Sequence, residues 1–284
     1  MGIIWNGIAN GCLIAVFALA FGTVYLSTRV FHIALAAIIS AAPFIAMTAL
    51  SRGLTVSVSW GISVLSCALL SVACEFVSHW RLERRGASAG LQLVASLGHS
   101  LVIGQAVVLM WGNNVRTLRS VSDVTKTICG ISLATSQWVA ITGSLGAVLT
   151  LLLIYRQTKI GLLLRGIADN STLIALAGYD LRFLRCAGFA VAGALAGLAS
   201  LLMAFGRGFD SSSGISILLP AIAAVVLGGR TFIVGPVVAA LLLGIVRSEI
   251  TWYASSPWQD PVTFLILLLA MALPHGQLTI DQQL

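Results

Sequence analysis

Few side chains in this sequence could do covalent or proton chemistry, and their spacing argues against most of it. Lys126 and Lys159 are the only lysines. A nucleotide-cradling loop needs GxxxxGK[ST], in which glycine amides and one lysine surround the phosphates, and neither lysine follows such a run. Hydrolysis of ATP by this chain alone is not expected. His32, His79, His99 and His275 are scattered, and no HExxH spacing sets two of them on one helix face for a metal ion. No GxSxG surrounds a serine, and no lysine lies in an apolar run where it could activate one. Cys12, Cys67, Cys74 and Cys186 sit in apolar runs and Cys129 in a connection. With no CxxC pair among them, they suggest neither a zinc site nor a disulfide framework. The expected catalytic set is empty, and so is the metal set.

What remains is a short set of polar residues within apolar stretches. An ionisable group inside a membrane is costly, so its presence usually marks a function. Glu75 is the one acidic residue of this kind. It is expected to pair with Arg81, either as a snorkelling group or as an ion pair fixing a gate. His99 reads as a neutral histidine hydrogen-bonded to a neighbouring helix, and Ser96 and Gln105 can bridge helices in the same way. So little buried charge describes a passive conduit whose energy source lies in another subunit.

Lipid must position these groups. Of 284 residues, 58% are hydrophobic and 9% charged, against about 25% charged in soluble domains. With a mean hydropathy of +1.02, a soluble globular protein is ruled out. The net charge of +7 would raise the question of nucleic acid in a soluble chain; here it fits the Lys and Arg excess of cytoplasmic loops, and no nucleic-acid partner is expected.

A membrane span takes about 20 apolar residues. Gly7–Leu26, Ile33–Leu50, Val58–Val77, Leu91–Trp111, Trp138–Tyr155, Leu184–Phe205, Phe232–Val246 and Val262–Leu273 meet or approach that length. A ninth stretch, Ile215–Leu227, reaches only about 20 Å, so it is a short span or a half-helix. The expected fold is an all-α polytopic membrane protein of eight to nine transmembrane helices in one domain, 1–284. Gly7 and Gly11, and Gly193 and Gly197, form GxxxG faces for close packing.

The first basic residue, Arg29, follows the first apolar stretch. That stretch therefore reads as a span with its N-terminus outside rather than as a signal peptide. The basic groups at 81–85 and 156–185 then lie inside, with the C-terminus. Two connections are long: an external one, 112–137, and a charged, helical, cytoplasmic one, 156–183.

Several pieces in order carry a resemblance. They begin with Asn6-Gly7-Ile8-Ala9-Asn10-Gly11, Glu75, Ser96-Leu97-Gly98 and Gln105. Then come Thr158-Lys159-Ile160-Gly161 leading to Arg165, Asp169 and Asn170, and Ala175-Leu176-Ala177-Gly178-Tyr179. Val225-Val226-Leu227-Gly228-Gly229, Gly235, Leu243-Gly244 and Pro274-His275-Gly276 complete the series. Over nearly its whole length the chain resembles the permease subunits of branched-chain amino acid type ABC importers.

The resemblance implies a lipid-embedded permease in the cell's inner (plasma) membrane. Its partners would be a second homologous permease, two cytoplasmic ATPase subunits that bind the ATP, and an external solute-binding protein. No cofactor is implied for this chain itself. Lys159, Gly161, Arg165, Asp169 and Asn170 would form the loop that couples to the ATPases. His32, Ser96, His99, Gln105 and Ser216 are candidates for the pathway. Two departures stand out. Gly166 replaces an alanine, and Val30-Phe31-His32-Ile33-Ala34-Leu35-Ala36 replaces an asparagine and a histidine–glycine step.

Two rival readings compete with the importer: a single-chain secondary transporter or channel, and a membrane-embedded enzyme. The external connection, with Arg116, Arg119 and Lys126 against Asp123, is expected to dock the binding protein or simply to tolerate its charges. The ninth stretch is expected to begin near Ser216, hold Pro220 in its first turn and end at Gly228-Gly229 before Arg230. It either borders the translocation route or packs as an ordinary short span.

Overall fold

The computed structural model of the chain describes residues 2–118, 124–128, 131–229 and 233–272. Each apolar stretch forms a helix: α1 Gly2–Thr28, α2 Ala34–Ser51, α3 Val56–Cys74, α5 Ala89–Trp111, α6 Thr135–Gln157, α8 Leu181–Ala204, α9 Ser213–Gly228, α10 Val234–Tyr253 and α11 Gln259–Ala272. Among the described residues, six helices are long and apolar enough to cross a membrane, and α2 and α9 are shorter apolar ones.

The third span outruns its expected length. After Cys74 the backbone passes through one π-helical turn, Glu75–His79, and continues as α4, Trp80–Arg84. The charges that read as a loop in sequence are thus helical. The long connection after α5 holds a hairpin, β1 Thr125–Ile128 against β2 Ile131–Ala134, antiparallel with Thr125 opposite Ala134. Between α6 and α8 lies α7, Lys159–Leu176.

In lipid, apolar burial gives no net drive for helices to associate, so close van der Waals packing must hold them together. The glycines supply it. A Cβ at Gly7 would lie 2.8 Å from the Ile245 backbone, and one at Gly11 2.8 Å from that of Leu241. Gly244 of α10 faces Gly11 in turn. On α8, a Cβ at Gly193 would meet Ser71 Cβ at 2.7 Å, and one at Gly197 would meet Cys67 Sγ at 3.0 Å. Both expected GxxxG faces are helix contacts, one joining α1 to α10 and the other α8 to α3. Between them α1 is almost wholly enclosed, with Val16, Phe17, Ala18, Ala20 and Phe21 in the main core beside Leu35 and Ile39 of α2 and Ala221–Val225 of α9. The outer faces of α3, α5 and α6 carry exposed apolar residues such as Leu69, Leu101 and Leu149, as a lipid-solvated surface requires.

The ninth stretch corrects one expectation. α9 begins at Ser213, which puts Pro220 at the eighth position, inside the helix rather than in its first turn. The proline removes the amide that would have bonded to the Ser216 carbonyl. The C-terminal end falls as expected, with Gly229 at φ 65° as its cap. Arg230 and Pro274-His275-Gly276 lie outside the described residues.

Candidate functional site

Three arrangements gather the sequence-predicted residues. The first is α7, at the end of the bundle where α6 stops. The Thr158 hydroxyl accepts from the Gly161 amide at 3.1 Å and starts the helix. Gly161 sits against the Ile154 carbonyl and the Tyr155 backbone so closely that any Cβ would collide. Arg165 donates to the Tyr155 carbonyl. Two residues of the predicted set therefore clamp α7 to the end of α6. Asn170 has another role: at φ −155°, ψ 100° it breaks the helix, and its side-chain oxygen accepts from Leu173 N at 3.1 Å. It caps a second helical piece. The Ile174 side chain of that piece folds over Gly166, where a Cβ would lie 2.7 Å from Ile174 Cδ1. This gives a local reason for glycine in place of alanine. Lys159 and Asp169 stay exposed, beside outward-facing Leu162, Leu173 and Leu176.

The second arrangement is a buried polar cluster joining α3, α5, α8 and the start of α2. The expected Glu75–Arg81 pair does not form. Glu75 instead binds Arg185 of α8, Oε1 to Nε at 2.6 Å, with both side chains buried, and Arg185 also pairs with Glu83. The reason is helical geometry. At 3.6 residues per turn, a residue six positions on points about 240° around the axis, and Arg81 is exposed. Arg182 stacks on Phe76, 4.5 Å from the ring centre. No local spacing signals a pair separated by 110 residues.

Beside the pair, His32 lies 5.8 Å from His79 and His79 lies 6.1 Å from His99, ring centre to ring centre, with Phe189 against the first two. Ser71 Oγ meets His32 Nε2 at 3.3 Å. Sequence reasoning singled out His32 and His99; it missed His79, which a helix extended past Val77 would have revealed. Ser96 does bridge helices, accepting from Ala34 N at 3.0 Å. His99 Nδ1 meets its own helix at Ala95 O, 2.8 Å, and Ser78 of the neighbouring segment at 3.5 Å.

Gln105 and Ser216 do not join this cluster; both are exposed, on α5 and on α9. The third arrangement is the start of α9. Gly214 is seated on α2, its amide donating to Ser40 Oγ at 2.9 Å, so the helix begins inside the bundle beside the second turn of α2. At the same end as the N-terminus of α1, Arg116 is tied inward. It donates to the Trp111 carbonyl at 2.7 Å and bridges through its backbone to Phe209. Arg119 and Asp123 lie outside the described residues, as does the Lys126 side chain.

Comparison with known proteins bears on all of these elements at once. Over 286 aligned residues the chain is 22% identical to the high-affinity branched-chain amino acid transport system permease protein LivH of Escherichia coli, covering 96% of this chain and 93% of that one. It is 32% identical over 138 residues to a probable branched-chain amino acid transport permease protein LivH of Methanocaldococcus jannaschii, a match spanning 46% of this chain and 44% of that protein. Among solved structures, a chain of PsaBC from Streptococcus pneumoniae in complex with Fab shares the fold, with a TM-score of 0.53 at 11% identity over 95% of this chain and 91% of that one. The family described as branched-chain amino acid transport system / permease component matches residues 3–271. Since that match takes in α1 through nearly all of α11, the chain belongs to this family of multi-pass membrane permeases.

Proposed function

We propose that the chain is the membrane-spanning subunit of an ABC importer for a small polar solute. The solute would be a branched-chain type amino acid or a related urea- or amide-like compound. ATP is bound and hydrolysed by two separate cytoplasmic ATPase subunits, and the pore is completed by a second, homologous permease. An external solute-binding protein delivers the cargo.

One observation carries the reading. α7 lies at one end of the bundle, clamped to α6 through Gly161 and Arg165 while Lys159, Asp169 and several leucines face outward. A helix held that way transmits a push on its outer face to the span beneath it. Domain closure of the ATPases, pressing on α7, tilts α6 and α8 and alternates access to the pathway. On this reading the end with α7 is cytoplasmic, and the Glu75–Arg185–Glu83 link fixes α8 to α3 at the cytoplasmic gate. α9 borders the pathway, with Ser216 exposed on it.

The test is an assembled transporter in proteoliposomes carrying R165A or D169A. Transport should fall about tenfold or more while basal ATP hydrolysis continues; tenfold corresponds to about 1.4 kcal/mol of lost coupling. Unchanged transport and unchanged stimulation of the ATPases, with the complex intact, would sink the assignment. So would uptake by the lone chain driven by an ion gradient.

A further inference from the structure

A cavity of about 310 Å³ opens at the end of the bundle opposite α7, between α1, the start of α6 and the end of α8. Its wall is amphipathic. Asn6 and Asn10 line it from α1, Gln137 from α6 and Arg207 from the turn after α8, while Leu13 and Leu202 form an apolar side. The polar groups are organised in two pairs: Gln137 Nε2 donates to Asn6 Oδ1 at 2.8 Å, and Arg207 donates to Asn10 Oδ1. A close approach sets the arginine there. The chain turns at Gly206, where a Cβ would lie 2.6 Å from that of Ser136.

Position is the telling feature. Among the described residues Arg207, like most of the arginines, pairs with no carboxylate, and of these it is the one that lines the cavity. Arg207 is exposed at the mouth of the cavity; its hydrogen bond to Asn10 holds the guanidinium against the wall and leaves most of its five donors for an anion. Asparagine oxygens accept a second hydrogen bond, so Asn6 and Asn10 offer acceptors beside it.

The geometry points to a binding site for a free amino acid with an apolar side chain, its carboxylate on Arg207, its ammonium on the asparagine oxygens and its side chain against Leu13 and Leu202. This deepens the importer reading and rests on it: the cavity is a receiving site on the outer side, within one permease subunit. Its size suits one small zwitterion with some water.

The test uses the full chain in phosphatidylcholine nanodiscs and radiolabelled L-leucine. Saturable binding is expected, and R207Q should weaken it about tenfold to a hundredfold, the worth of a charge-assisted hydrogen bond. R52Q, at an exposed turn, should bind like the parent. Isoamylamine, which is leucine without its carboxylate, should fail to compete on the parent chain, and that comparison needs no folded variant. The proposal falls if leucine does not bind, if isoamylamine competes equally, or if a folded R207Q binds unchanged. It also falls if phosphatidylglycerol in the nanodisc displaces leucine, which would assign the arginine to a lipid phosphate. These failures leave ATP-driven uptake by the assembled transporter intact. Loss of that uptake with leucine still bound would instead strike the importer reading.

Discussion

Arg185 serves two carboxylates, buried Glu75 and the more exposed Glu83, and that asymmetry fixes what single substitutions do. Removing one member of a buried pair leaves the other charge uncompensated, at about 3–5 kcal/mol. In R185Q, Glu75 loses its partner in a setting where it is only 1% exposed. In E75Q, Arg185 keeps Glu83. R185Q should therefore destabilise the chain more than E75Q, and the double variant E75Q/R185Q should recover much of the loss. Thermal unfolding in detergent micelles measures all three, and equal single effects that simply add would contradict the pairing. The residues involved show how far sequence carries. Glu75 was visible as a lone acid in an apolar run. Its partner was not, because the nearest basic residue in sequence points elsewhere on the helix, and only the packing of α8 on α3 brings Arg185 to it. His79 was hidden for a related reason, since the charges that follow it look like a loop.

At the scale of elements, hydropathy located every span to within a few residues at most ends, because an apolar helix in lipid is constrained mainly by length and composition. Features that depend on tertiary contact were harder to read: the π turn at Glu75–His79, the hairpin after α5 and the true start of α9. α9 is the element with most at stake. At about 24 Å it is shorter than a hydrocarbon core of about 30 Å, and its first amides lie inside the bundle, where backbone donors must find partners. Ser40 supplies one. On this helix Ile215, Ser216 and Leu219 are exposed while Gly214, Leu218 and Ala221 are buried. Single cysteines at the first three positions should react with a water-soluble thiol reagent if the helix borders an aqueous route, and those at the buried three should not. If none of the six reacts from either side, that face meets lipid or protein and the pathway role of Ser216 is lost.

For the whole molecule, alternation of the helices fixes which ends share a side. α1 starts, α2 ends, α3 starts, α5 ends, α6 starts and α8 ends at the pole that carries the Arg207 cavity and the hairpin. α7, α4 and the Glu83–Arg185 contact lie at the other. α9 starts below the first pole, seated on α2, and Phe209 of the segment ahead of it is buried. A helix and lead-in that together make one crossing would return α10 to the first pole. The positive-inside rule orients the whole: Arg81, Arg84, Arg85, Arg156, Lys159 and Arg165 cluster at the α7 pole, which should be cytoplasmic. With the native cysteines replaced by serine, a cysteine at Ser256, after α10, should be labelled by an impermeant reagent in intact cells. One at Ser171, on the outer face of α7, should be labelled only after the membrane is opened. Labelling of Ser171 from outside would reverse the orientation, and labelling of both from one side would mean that α9 does not complete its crossing.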